Sequence, residues 1–147
     1  MIEIREVKSG KEFKRFVESR LKTENVNIIT DKQAIDRNLA NDTILVFGTP
    51  TGNLWFVKHF PRLPVQITPE QIMADTVYPG TNLRFITTWP NPQNPAKGVV
   101  IYTAQRAEDI ININNVTHGV TDYVITMETE ILKSGDYNKQ KSPWTIK

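Results

Sequence analysis

Few residue types in this chain could do chemistry. It has no cysteine, which removes a thiol nucleophile, a disulfide framework and a cysteine-ligated metal. Its serines are Ser9, Ser19, Ser134 and Ser142, and none follows a buried strand at the strand-to-helix elbow where a hydrolase holds its nucleophile. The histidines are His59 and His118. Their positions show no metal-ligand spacing, so no metal and no cofactor is expected. His118 stands four residues before Asp122, in Thr117-His118-Gly119-Val120-Thr121-Asp122. An imidazole within reach of a carboxylate is a general-base arrangement, and His118 with Asp122 is the one candidate acid–base pair. A structural loop histidine is the plainer reading of the same residues.

The second candidate is a turn. Thr43-Ile44-Leu45-Val46-Phe47 reads as a buried strand, and Gly48-Thr49-Pro50-Thr51-Gly52-Asn53 leads from it into a helix over Leu54–Phe60. Gly48 supplies conformational freedom, Gly52 permits close backbone approach and Asn53 caps the helix. Free N–H groups with the two hydroxyls of Thr49 and Thr51 suit a small anion. Gly48, Thr49, Thr51, Gly52 and Asn53 are therefore the expected ligand-binding residues. The P-loop pattern fails because no lysine follows Gly52, and the dinucleotide pattern fails for want of a third glycine. A tight turn that only connects strand to helix is the bland alternative. Trp89, Trp55 and Tyr78 are candidates for an aromatic platform, weighed against ordinary core packing.

The elements that position these residues follow from periodicity. Ile2 and Ile4 alternate with Glu3 and Arg5 as in a strand. Ser9-Gly10-Lys11-Glu12 has the capping-box form, and Phe13, Phe16, Val17 and Leu21 make a helical stripe behind it. Val26–Ile29 reads as a strand, and Thr30-Asp31-Lys32-Gln33 opens a second helix ending near Asn41. In the helix after the glycine turn, Leu54, Val57 and Phe60 are expected to face inward. Thr68-Pro69-Glu70-Gln71 predicts a short helical turn, Tyr78-Pro79-Gly80 a turn, and Leu83–Trp89 a strand. Three prolines in Pro90–Pro95 predict a loop. Gly98–Thr103 reads as a buried strand, Gln105–Ile113 as a helix and Asp122–Met127 as the last full strand.

Strand and helix alternate through the first 60 or so residues, which argues for parallel strands with helices on both faces. The expected fold is a single three-layer α/β sandwich of Rossmann or flavodoxin type, with a mostly parallel central sheet of five or six strands. It occupies residues 1–133 and is followed by a polar tail, 134–147, from which Trp144 is a candidate to dock back on the domain. At 147 residues the chain is long enough for a core without staples. A net charge of +2 gives no footprint for nucleic acid, and Lys133, Lys139, Lys141 and Lys147 read as a solvated cluster. No run is long and apolar enough for a membrane span. The start lacks a secretory signal pattern, which suits a cytoplasmic protein or a domain excised from an exported one.

Ile44-Leu45-Val46-Phe47-Gly48-Thr49-Pro50-Thr51-Gly52-Asn53, Leu63-Pro64, Tyr78-Pro79-Gly80 and Pro90-Asn91-Pro92 with Asn94-Pro95, in this order, resemble an uncharacterised α/β accessory domain of large exported bacterial proteins. That domain often stands beside peptidase or α/β-hydrolase modules. The resemblance spans about Val26 to Asp122 and implies a Rossmann- or flavodoxin-type fold without a catalytic set of its own. The expected function is a non-catalytic module that binds a small anionic ligand or a neighbouring protein domain. The alternative is a small enzyme acting on a phosphorylated or nucleotide substrate, with Thr49 and Asn53 holding an oxyanion and His118 with Asp122 moving protons.

Overall fold

The computed structural model describes residues 1–5, 27–60, 63–110, 113 and 120–147. The expected helix over Phe13–Leu21 and the residue His118 lie outside them. The described strands are β1 (Ile2–Arg5), β2 (Asn27–Thr30), β3 (Ile44–Phe47), β4 (Gln66–Thr68), β5 (Gln71–Met73), β6 (Val77–Pro79), β7 (Leu83–Asn91), β8 (Asn94–Ala104), β9 (Tyr123–Met127), β10 (Glu130–Gly135), β11 (Tyr137–Asn138) and β12 (Thr145–Ile146). The described helices are α1 (Asp31–Ile35), α2 (Leu54–His59) and α3 (Ala107–Ile110).

Seven strands form the main sheet in the order β10-β9-β7-β8-β3-β1-β2. β2, β1, β3 and β8 run parallel to one another, whereas β7, β9 and β10 are joined antiparallel. β8 is the seam, parallel to β3 along one edge and antiparallel to β7 along the other. The expected three-layer, mostly parallel Rossmann-type sandwich is therefore corrected to a mostly β fold on a mixed sheet. Among the described residues 48% lie in strands and 14% in helix.

The difference has local causes. Pro90–Pro95 is not a loop but the tip of the β7–β8 hairpin, with Asn91 opposite Asn94 and Pro90 opposite Gly98. The register shift leaves Pro95, Ala96 and Lys97 outside the ladder, so the missing proline N–H costs it little. The tip is fastened by amide side chains. Asn91 Nδ2 donates to the Leu39 carbonyl (2.8 Å), Asn94 Nδ2 to that of Ala40 (2.8 Å), and the Leu39 N–H donates to Gln93 Oε1 (2.7 Å). Thr68-Pro69-Glu70-Gln71 likewise forms a two-residue turn between β4 and β5 rather than a helical one. No helically spaced apolar stripe follows it.

Thr30 does make the expected capping box: its hydroxyl accepts from the Gln33 N–H (3.1 Å) and its N–H donates to Gln33 Oε1 (3.0 Å). The helix ends at Ile35, well short of Asn41. Residues 134–147, expected as a polar tail, contribute the end of β10 and the β11–β12 pair.

One sheet face buries Ile2, Ile4, Ile44, Val46, Val99 and Ile101 beneath Trp55, Phe56 and Phe60. Farther along the same face Leu83, Phe85, Tyr123 and Ile125 pack with Tyr137, and Trp89 touches both groups. The opposite face carries Phe47, Ile86, Tyr102 and Val124 with Ile110 and Ile113. Of the expected stripe Phe60 is buried, but Trp55 and Phe56 take the rest of the core side, while Leu54 is 39% and Val57 47% exposed. Among the described residues no helix is long and apolar enough to cross a membrane.

Candidate functional site at the Gly48–Asn53 corner

β3 ends at Phe47, and Gly48 continues at φ 152°, a backbone state that side-chain-bearing residues rarely adopt. Its N–H reaches the Tyr102 carbonyl at 3.3 Å, so the turn leaves directly from the seam of the sheet. Asn53 is fully buried. Its Oδ1 accepts from the Phe56 N–H and its Nδ2 donates to the Phe47 carbonyl, each at 3.0 Å. One amide thus caps α2 and closes the end of β3.

Several of the N–H groups expected to face an anion have partners inside the chain. Gly52 N–H donates to Thr49 Oγ1 (3.0 Å) and Asn53 N–H to the Thr49 carbonyl (3.2 Å). Leu54 N–H donates to Asp31 Oδ2 at 2.8 Å, and Asp31 Oδ1 accepts from the Lys32 N–H at 3.0 Å. The buried carboxylate of Asp31 therefore sits where an anion would, at the start of α2. Sequence reading placed Asp31 only inside the Thr30 capping box. The signal was in the topology, because Thr30 and Phe47 both pair with Arg5 of β1 and bring the residues after β2 and β3 to one rim.

What remains open at the corner is Thr51, with Thr49, Pro50 and Gly52 half-buried. Pro50 forms one lip of an apolar groove of about 240 Å³. Phe56 and Val57 of α2 and Phe60 just after it line the groove together with Val65 and Ile67.

The sheet does not bring Asp122 to this corner. The Asp122 carbonyl accepts from the Thr88 N–H (2.8 Å) beside β7, whereas Asn53 hangs from the end of β3, so three strand spacings, roughly 14 Å, separate the two columns. Its carboxylate binds Lys139 Nζ (2.9 Å) and the Tyr137 N–H (3.0 Å). Burial alone would raise its pKa. The Lys139 ammonium, the Tyr137 N–H and the Thr88 hydroxyl outweigh that and hold it below 3.8.

Nor do the three aromatics form one platform. Trp55 is wholly buried, the Tyr78 hydroxyl donates to Asp75 (3.0 Å), and Trp89 meets Tyr137 and Trp144 edge-on, each at 5.3 Å. Another charged cluster escaped sequence reading: Asp109 accepts two hydrogen bonds from Arg106 (2.7 and 3.1 Å), and its carbonyl one from buried Arg84 (2.8 Å). These contacts staple α3 to β7. Among the described residues no three His, Cys, Asp or Glu side chains gather as a metal ion would require.

His59 packs on Trp55 with ring centroids 4.7 Å apart, and its Nε2 is buried without a hydrogen-bond partner among the described residues. Burial, and then the Lys58 ammonium, lower its pKa below 6.5. The unfolded chain therefore binds this proton more readily than the folded one. Stability from neutral His59 is complete above pH 6.5 and is lost as pH falls through the lowered folded value. Chemical denaturation at pH 7.5 and 5 is expected to show a smaller acid loss in His59→Gln than in the parent, and an equal loss would contradict this assignment.

Compared with protein-family models and with curated proteins, the chain matches none.

Proposed function

We propose that this chain is a non-catalytic binding module that engages an apolar ligand group or a neighbouring protein domain through the groove beside Pro50. The observation that carries this reading is α2: its core side is filled by Trp55 and Phe56, yet Val57 remains nearly half exposed on the groove wall. Exposed apolar surface of this kind, next to a concavity, is where binding energy is available. The internal bonding of the corner favours an apolar over an anionic ligand, and the commitment of Asp122 to Lys139 and Tyr137 speaks against acid–base work there. In the setting that the resemblance implies, the partner is another domain of an exported hydrolase.

A thermal-shift screen with apolar tripeptides, nucleotides, phosphosugars and glycans tests the reading. A tripeptide at about one hundred times its Kd adds about 2.7 kcal/mol, an upward shift of several degrees. Val57→Glu is expected to abolish that shift while changing the free protein by under about 0.5 kcal/mol, as an exposed position should. Stabilisation by nucleotides or phosphosugars that survives Val57→Glu would move the site to the polar corner and overturn the proposal.

A further inference from the structure

In residues 136–147 only Tyr137 is buried. The β11–β12 ladder has two residue pairs and belongs to neither larger sheet. The segment is fastened at few points. The Tyr137 ring stacks on Tyr123 (5.1 Å, 27°), and its hydroxyl hydrogen-bonds Thr87 at 2.6 Å. Trp144 lies edge-on to Trp89, with the Lys139 ammonium 5.0 Å from the Trp144 ring. Asp122 binds Lys139 and the Tyr137 N–H, while its own N–H donates to Asp136 Oδ1 (3.1 Å). The Thr88 hydroxyl also reaches this carboxylate (3.5 Å), and Asp136, Asn138, Lys139, Gln140 and Lys147 line the same pocket.

We infer that residues 136–147 form a strap latched by Asp122 that lifts from the sheet as a unit while the rest of the domain stays folded, uncovering a shelf made by Trp89, Tyr123 and Thr87. A segment with one buried anchor opens at far lower free energy than strands packed on both faces. At its base, Gly135 lies so close to Tyr123 that a Cβ there would sit 2.9 Å from the phenol oxygen. The strap therefore leaves the sheet across the ring it covers. Lifting separates Tyr137 and Trp144 from the shelf without disturbing the β7–β8 ladder.

Hydrogen exchange on the full chain tests this. Amides of residues 137–147 are expected to exchange at least about a hundredfold faster, relative to their intrinsic rates, than those of β7 and β8. Ile101→Val weakens only the main core, so it should speed β7–β8 exchange about fivefold and leave the strap unchanged. Asp122→Ala should speed strap exchange about tenfold, the loss of a charge-assisted contact. Should that variant fail to fold, Lys139→Met is expected to speed it at least about threefold. Equal protection of strap and β7–β8, strap exchange that follows Ile101→Val, or no response to the latch variants would overturn the inference.

Discussion

Replacing Asn53 with alanine is expected to destabilise the protein by about 3 kcal/mol, although the substitution removes only an amide. The side chain is fully buried and holds the Phe47 carbonyl and the Phe56 N–H at 3.0 Å each. Losing an N-cap costs about 1 kcal/mol, and leaving a second buried backbone group without a partner costs about 1–3 kcal/mol more. Asn53→Asp separates the two roles. It keeps an acceptor for Phe56 but loses the donor to Phe47 and sets a buried charge against a carbonyl, so it is expected to be no better than alanine at neutral pH. Urea unfolding monitored by circular dichroism reads both variants. A loss under about 0.5 kcal/mol in Asn53→Ala would mean that the corner is held by something else.

Trp55→Ala is expected to cost about 4 kcal/mol, in the range for removing a large aromatic from a packed core. Trp55 is wholly buried, meets the Phe60 ring at 5.4 Å and roofs the parallel part of the sheet with Phe56. Its indole N–H is buried without a hydrogen-bond partner among the described residues, which makes the conservative variant informative. Trp55→Phe loses volume but also relieves an unsatisfied donor, and the two effects oppose each other. It is expected to lie within about 1.5 kcal/mol of the parent. Equal losses in the two variants would show that the indole itself, and not the volume it fills, is what the site requires.

Much of the parallel part of the sheet was legible in the sequence. The Thr30 capping box, the β3 strand, the Gly48 turn and the Asn53 cap stand where local pattern puts them, because each is decided by neighbours within a few residues. The expected Rossmann-type architecture failed where pairing partners are distant. Nothing local says that Pro90 lies opposite Gly98 or that Asn91 reaches Leu39, and three prolines outweigh a hairpin in any local reading. Of the α2 stripe Phe60 is buried as expected, but Leu54 and Val57 were misjudged because they share its helical spacing while Trp55 and Phe56 offer more area to bury. Asp31 was missed as the partner of Leu54 because the two are brought together only by β1 lying between β2 and β3. Tyr137 and Trp144 hold the segment expected as a tail for a similar reason: Thr87, Trp89 and Tyr123 lie far away in sequence.

The groove beside Pro50 is the centre of this account, and amide chemical-shift mapping tests it most directly. Titrating the labelled protein with an apolar blocked tripeptide, such as acetyl-Leu-Val-Phe-amide, is expected to move the resonances of Thr51, Phe56, Val57 and Ile67 while those around Asp122 and Lys139 stay in place. Shifts gathered at Asp122 and Lys139, or no shifts at millimolar peptide, would contradict it.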